Sequence, residues 1–178
     1  KFINMNCRNC NNDKLTDFVD LGFSPPSNSF LKKNHLNKHE VFFPLKVQVC
    51  NNCFLVQIDE FENHAKIFNN EYVYYSSFSS SWLDHAKKYV EMMTLKYNLS
   101  SNSTVVEIAS NDGYLLQYFK EKNINVLGIE PTKNTAEVAE SKGIKTIIKF
   151  FGKKLALELN KFKTYADLIL GNNVLAHV

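Results

Sequence analysis

The 178 residues carry 21 basic and 18 acidic side chains, a net charge of +3, with lysines scattered rather than bunched, which gives nucleic acid no electrostatic footprint. No apolar run approaches the roughly 20 residues needed to cross a bilayer, and the N-terminal residues lack the charged-then-apolar order of a signal peptide. These patterns argue against nucleic-acid and membrane partners and lead to the expectation of a soluble, cytoplasmic chain. The length allows a small domain beside part of a larger one.

The first expected piece spans residues 1–59. All four cysteines fall in two Cys-x-x-Cys pairs, Cys7 with Cys10 and Cys50 with Cys53. Each pair places two thiolates on one tetrahedral edge, and two pairs complete a closed Zn2+ site with Zn–S distances of about 2.3 Å. Disulfides are the competing reading, which a reducing compartment disfavours. Four sulfurs leave no open coordination position, so the zinc is expected to be structural, with His35 and His39 solvated. The Leu21–Leu31 stretch, LGFSPPSNSFL, reads as a loop between the pairs. The second pair sits between PLKVQVC and CFLVQI, which suggests the tip of a hairpin.

Residues 60–102 read as a connector. Its segment FNNEYVYYSSFSSSWLDHAKKYVEMM opens with tyrosines and serines too polar for a core strand and too aromatic for a plain linker. The hydroxyls of Tyr72, Tyr74, Tyr75, Ser76 and Ser77 can bond a sugar or a cofactor, or the segment can simply pack between domains. Ser81 is expected to cap a helix, with Asp84 at the capping-box position. Leu83, Ala86, Val90, Met93 and Tyr97 recur at helical spacing and mark its buried face.

From residue 103 onward the pattern alternates strand and helix. TVVEIASNDGYLLQYFKEKNINVLGIEP, Thr104–Pro131, holds an apolar run, a polar elbow at Ser110–Gly113, a helix, and a second apolar run ending in Glu130. An acidic residue at the second strand's tip, about 20 residues past the elbow, is where nucleotide-binding α/β folds hold a ribose diol. The elbow has one glycine, and Glu107 and Asp112 flank it. A pyrophosphate calls for several glycines and few anions, whereas carboxylates suit a sulfonium and an ammonium, so S-adenosylmethionine is favoured over a dinucleotide. The bland alternative makes Glu107 a strand-end charge and Asp112 a helix cap. Further helices are expected around Thr135–Ser141 and Lys153–Asn160, and strands around Ile144–Ile148 and Ala166–Leu170. The whole implies an α/β fold, a parallel, doubly wound, Rossmann-like sheet preceded by a small zinc-binding domain. Ligands of such sheets collect at the carboxyl ends of the strands, where Asn111, Glu130 and Asn172 fall, with His177 a few residues on.

With its two cysteine pairs, the LGFSPPSNSF loop, EYVYYSSFSSS, VVEIASNDGYLL, GIEP and GNNVLAHV in that order, the sequence resembles the bacterial sugar C-methyltransferases, S-adenosylmethionine enzymes acting on nucleotide-linked 4-keto-deoxysugars. The resemblance implies a zinc-binding domain, a class I methyltransferase domain of which residues 103–178 are the N-terminal part, and a further C-terminal domain closing the cleft over the nucleotide-sugar substrate. It implies substrate-side roles for Tyr74 and His177. Cofactor contacts are implied at Glu107, Asn111, Gly113, Glu130 and Asn172, and Ser110, Asp112 and Pro131 join this cofactor-side set. The family's general base corresponds to a position beyond Val178, so the chain reads as truncated, and no turnover is expected of it alone. Two rival readings are a zinc-ribbon binding module joined to a non-catalytic Rossmann-like domain, and an O- or N-methyltransferase.

Overall fold

The computed structural model describes residues 6–59, 61–62, 64–69 and 71–174. The chain divides between Ile67 and Phe68 into two compact units.

Unit 1 is a three-stranded antiparallel sheet in the order β1 (Leu15–Ser24), β2 (Phe43–Cys50), β3 (Val56–Ile58), followed by the single-turn helix α1 (His64–Ile67). The β2–β3 hairpin pairs Val47 with Ile58 and Val49 with Val56, and the second cysteine pair lies at its tip. One expectation fails here. Leu21 to Ser24, read as the start of a loop, belong to β1, because a bulge between Asp20 and Phe23 lets the strand continue. Gly22 has φ +76 at that bulge and donates its N–H to Asp20 Oδ1 at 2.9 Å, the left-handed position such bulges require. Among the described residues of this unit, Cys7 and Cys50 are the buried hydrophobic side chains, while Phe18, Phe23, Phe30 and Phe54 are exposed. The unit has too little apolar burial to hold itself together, which puts its stability on the cysteine cluster.

Unit 2 is a four-stranded parallel sheet, β6 (Thr146–Ile147), β5 (Asn125–Ile129), β4 (Thr104–Ile108), β7 (Leu168–Leu170) in spatial order. Its helices are α2 (Ser80–Lys96), α3 (Leu116–Glu121), α4 (Lys133–Ser141) and α5 (Lys153–Lys161). Consecutive valines of β4 serve opposite faces, as the pleat demands. Val105 joins a core with Ala86, Val90, Leu116, Phe119, Ala139 and Ile144, drawn from α2, α3 and α4 and their flanks. Val106 joins a smaller one with Leu127, Ile129 and Leu155 of α5. Helices thus cover both faces, and the fold is the expected Rossmann-like α/β. The fully buried Phe119 alone contributes roughly 2–3 kcal/mol of hydrophobic stabilisation.

Two details of α2 depart from expectation. Its N-cap is Ser79, whose Oγ accepts the Trp82 N–H at 3.3 Å, rather than Ser81, because a short 3-10 turn over Ser76–Phe78 leaves Ser79 in extended geometry. Tyr97 is exposed, since the helix ends at Lys96 before its periodicity reaches that residue. Among the described residues no helix is long and apolar enough to cross a membrane.

Candidate functional site

The cysteine cluster of unit 1 comes from two turns of the same design. Cys7 C=O accepts the Asn11 N–H at 2.7 Å, and Cys50 C=O accepts the Phe54 N–H at 3.0 Å. Asn11 (φ 59) and Phe54 (φ 61) each stand four residues past the first cysteine of their pair in left-handed geometry. The turns aim all four sulfurs inward, within 4.8 Å of one another. Cys7 Sγ lies 3.5 Å from Cys53 Sγ, and Cys10 Sγ lies 3.5 Å from Cys50 Sγ. A disulfide needs about 2.05 Å, whereas sulfurs on a tetrahedron of about 2.3 Å bonds stand a little under 4 Å apart. The cysteines are free thiols in zinc geometry. Hydrogen bonds from Asn52 and Asn12 hold the Cys10 thiol down to about 6, while the Cys7 thiol, despite a lowering backbone bond from Cys10, is raised to about 11 by burial and by the Cys53 and Cys50 sulfurs. Neither His35 nor His39 joins the cluster.

In unit 2, spatial order departs from chain order at β4, which has β5 on one side and β7 on the other. At such a switch point the strands' carboxyl ends open a crevice. The elbow that follows β4 is tightly wound, with Ala109 (φ 54), Asn111 (φ 50) and Gly113 (φ 75) all left-handed. Only Gly113 adopts this without a Cβ penalty, and a Cβ there would lie 2.5 Å from Ile144 Cδ1 and 3.3 Å from Ala139 Cβ. The single glycine is placed where the elbow presses against α4 and the chain entering β6.

Glu107 is 1% exposed, and neither carboxylate oxygen has a hydrogen-bond partner among the described residues. Burial pushes its carboxyl up to about 8. Asn172 and Tyr114 oppose the shift without closing a bond to it, and the charges of Glu130 and Asp112 reinforce it. Asn172, on the turn after β7, approaches the Tyr114 hydroxyl at 3.5 Å. Burial and the charge of Glu107 push the Tyr114 phenol up as well, so it remains a donor. Ser110 Oγ and Asp112 Oδ1 are likewise buried without a partner.

Glu130 is 4% exposed at the end of β5, and donors surround it. Oε2 accepts the Asn111 N–H at 2.8 Å, and Oε1 accepts the Thr132 N–H at 2.9 Å and its hydroxyl at 2.5 Å. Pro131 follows, half-buried. Thr132 was not foreseen because a Thr after Glu-Pro reads as a helix cap. Its hydroxyl faces the carboxylate instead, and also meets Thr135 Oγ1.

Asn111 and Asp112 hold the tyrosine-serine segment. Asn111 Oδ1 accepts the Ser76 N–H at 2.9 Å, and its Nδ2 donates to the Tyr74 carbonyl at 3.1 Å. Asp112 Oδ2 accepts the Ser77 N–H at 3.2 Å. Farther along, Asn134 Nδ2 donates to the Tyr72 carbonyl and the Tyr75 hydroxyl at 2.5 and 3.0 Å. The Tyr74 side chain is half exposed, its ring edge-on to Tyr72. Thus the structure brings Glu107, Ser110, Asn111, Asp112, Gly113, Glu130 and Asn172 to one end of the sheet, with Tyr74 tied to Asn111. His177 lies outside the described residues. Tyr114 escaped notice because an aromatic opening a helix reads as core.

Residues 7–68 match the methyltransferase family model Methyltransf_13, whose description reads "Putative zinc binding domain". Over 172 residues, 97% of this chain, the sequence is 30% identical to the C-methyltransferase NovU of Streptomyces niveus. The chain spans 41% of that protein's length.

Proposed function

We propose that this chain, which matches a zinc-binding-domain model and is similar to a C-methyltransferase, forms the cofactor-binding part of an S-adenosylmethionine-dependent enzyme. The substrate we infer is a nucleotide-linked 4-keto-deoxysugar, methylated at the carbon beside its keto group. The observation that carries the cofactor is Glu107, a buried carboxyl group with two unpartnered oxygens at the switch point of a parallel sheet. Such a group needs a donor or a cation to complete it, and a ligand with an ammonium and a sulfonium supplies one. Ser110 Oγ and Asp112 Oδ1 offer further unpartnered oxygen atoms on the same elbow. The acceptor set therefore fits a cationic amino-acid tail. Glu130, held by Asn111 and Thr132, would receive the ribose hydroxyls with its remaining lone pairs.

When bound, S-adenosylmethionine supplies an electrophilic methyl group. The protein's share is to hold the reactants in line and to manage a proton. A carbon beside a ketone is a weak acid, so its enolate needs a base and donors aimed at the developing oxygen. Tyr74, on the segment fixed by Asn111, and His177 are our substrate-side candidates for that donor role. The zinc would be structural, because four thiolates leave no position for a reacting oxygen.

Calorimetry on the 178-residue chain tests the cofactor reading. S-adenosylmethionine should bind saturably, with NAD not competing, and Glu107→Gln should weaken binding roughly 10- to 100-fold at about pH 8, as loss of a charge-assisted bond implies. Undetectable binding to the folded chain, or equal affinity for the variant, would remove the assignment.

A further inference from the structure

Lys142 sits where α4 ends, one residue past Ser141, and its side chain is 28% exposed. Its ammonium turns back toward the elbow, where Nζ donates to the Asp112 carbonyl at 2.7 Å and to Ser77 Oγ at 2.9 Å. It lies 3.6 Å from Asp112 Oδ2, the oxygen that accepts the Ser77 N–H. Lys142, Asp112 and Ser77 thus close a three-membered ring of polar contacts joining α4, the elbow and the tyrosine-serine segment. Asn111 and Asn134 make the other ties described above, so residues 72–78 form a strap fastened to the elbow and to α4 by side chains rather than by a shared sheet. Its own apolar anchorage is slight. Tyr74 and Phe78 are exposed, and Ser76 is the buried side chain in the strap.

We propose that Lys142 is a positioning residue for the reaction: by clamping Ser77 onto Asp112 it fixes the tyrosine strap against the cofactor elbow, and so sets where Tyr74 and Tyr75 stand relative to the bound cofactor. The strap's fastening stands on the geometry alone, whereas its effect on substrate rests on the methyltransferase reading. The ammonium is suited to the task because one cation meets three acceptors from two segments. It also balances a carboxylate that is 2% exposed and would otherwise be buried uncompensated. Arginine could reach the same acceptors with its fork of donors, whereas methionine keeps the length and loses all three contacts.

Hydrogen exchange on the full 178-residue chain tests this without any ligand. In Lys142→Met and in Ser77→Ala, which leaves the Lys142–Asp112 pair intact, the Ser76 and Ser77 amides should exchange at least roughly tenfold faster, as loss of one or two hydrogen bonds to a charged group implies. Amides of β4 and β5 should keep wild-type rates, and Lys142→Arg should restore protection. The same set is then titrated with S-adenosylmethionine, which should further slow strap exchange in the wild type and in Lys142→Arg but not in Lys142→Met. Unchanged rates at Ser76 and Ser77 in both variants would overturn the proposal. Uniformly faster exchange across unit 2 in Ser77→Ala would reduce the ring to a structural support and also overturn it. If the wild type binds no S-adenosylmethionine, the functional reading fails, while the ligand-free comparison still decides the fastening of the strap.

Discussion

Glu107 offers the most direct measurement of the site's electrostatics, because burial raises its carboxyl from 4.5 to about 8. The folded state therefore holds a proton that the unfolded chain releases between those two values. A group whose folded pKa is raised in this way costs nothing below the lower value and destabilises progressively as pH climbs toward the upper one. At about 1.36 kcal/mol per unit, the loss is roughly 1–2 kcal/mol at pH 5.5 and on the order of 4 kcal/mol by pH 8. Glu107→Gln removes the ionisation and leaves a side chain of nearly the same shape. Urea unfolding can be followed through Trp82, the chain's single tryptophan, whose ring stacks on Tyr114 at 5.9 Å within the same unit. The wild type should lose about 3 kcal/mol of unit 2 stability between pH 5.5 and 8 that the glutamine variant keeps, a large fraction of a domain's usual 5–15 kcal/mol. Parallel decline of the two proteins over that range would show that Glu107 is ionised when folded, and the reasoning about its missing partners would fall with it.

Chelation of metal should unfold unit 1 and leave the Trp82 signal unchanged, because the buried apolar side chains described in that unit are two of the zinc-ligating cysteines; about one zinc per chain by elemental analysis, lost together with β1–β2 amide protection, is the expected result. Gly113→Ala should destabilise unit 2 by roughly 2–4 kcal/mol in the same urea assay, since the added methyl meets Ile144 and Ala139 at a left-handed position. Ala109→Gly should instead be neutral or stabilise by up to about 1 kcal/mol through relief of its φ of 54°, and a clear loss of stability would show that its methyl packs.

What the sequence revealed, and what it hid, follows from how local each signal is. The parallel sheet was legible because Val105 and Val126 pack on one face and Val106, Leu127 and Ile129 on the other, so the strands read as continuous apolar runs bounded by turns. The cysteine turns were legible because the metal fixes spacing more tightly than any hydrophobic contact does. The Ser79 cap was not, since three serines in succession offer equivalent oxygens, and the preceding 3-10 turn decides among them. Nor was the continuation of β1 through Gly22, where a bulge turned an apparent loop into strand. Lys142 was invisible for a different reason. Its partner Asp112 lies 30 residues away and Ser77 lies 65 away, and only the folded sheet brings those segments together.

The same distance limits an argument from counted charges. Glu107, Asp112 and Glu130 look like three negative groups awaiting a cation, yet each is handled differently by the fold. Asp112 faces the Lys142 ammonium, so its charge is already balanced locally. Asn111 and Thr132 direct three donors at Glu130, which makes it a fixed acceptor rather than a free anion. Glu107 has no hydrogen-bond partner among the described residues, and burial keeps its proton on at neutral pH. On the proposed function, attraction for a cationic ligand at this elbow would rest on a carboxyl group that must first give up its proton, and the ligand's ammonium would lower the cost of doing so. On the proposed function, preference for a cation over a phosphate would come from two sources that a tally of acidic letters cannot separate. One is the carboxylate that Glu107 becomes once its proton leaves, and the other is an elbow whose one glycine is committed to packing against Ile144 and Ala139 rather than to opening a phosphate cradle.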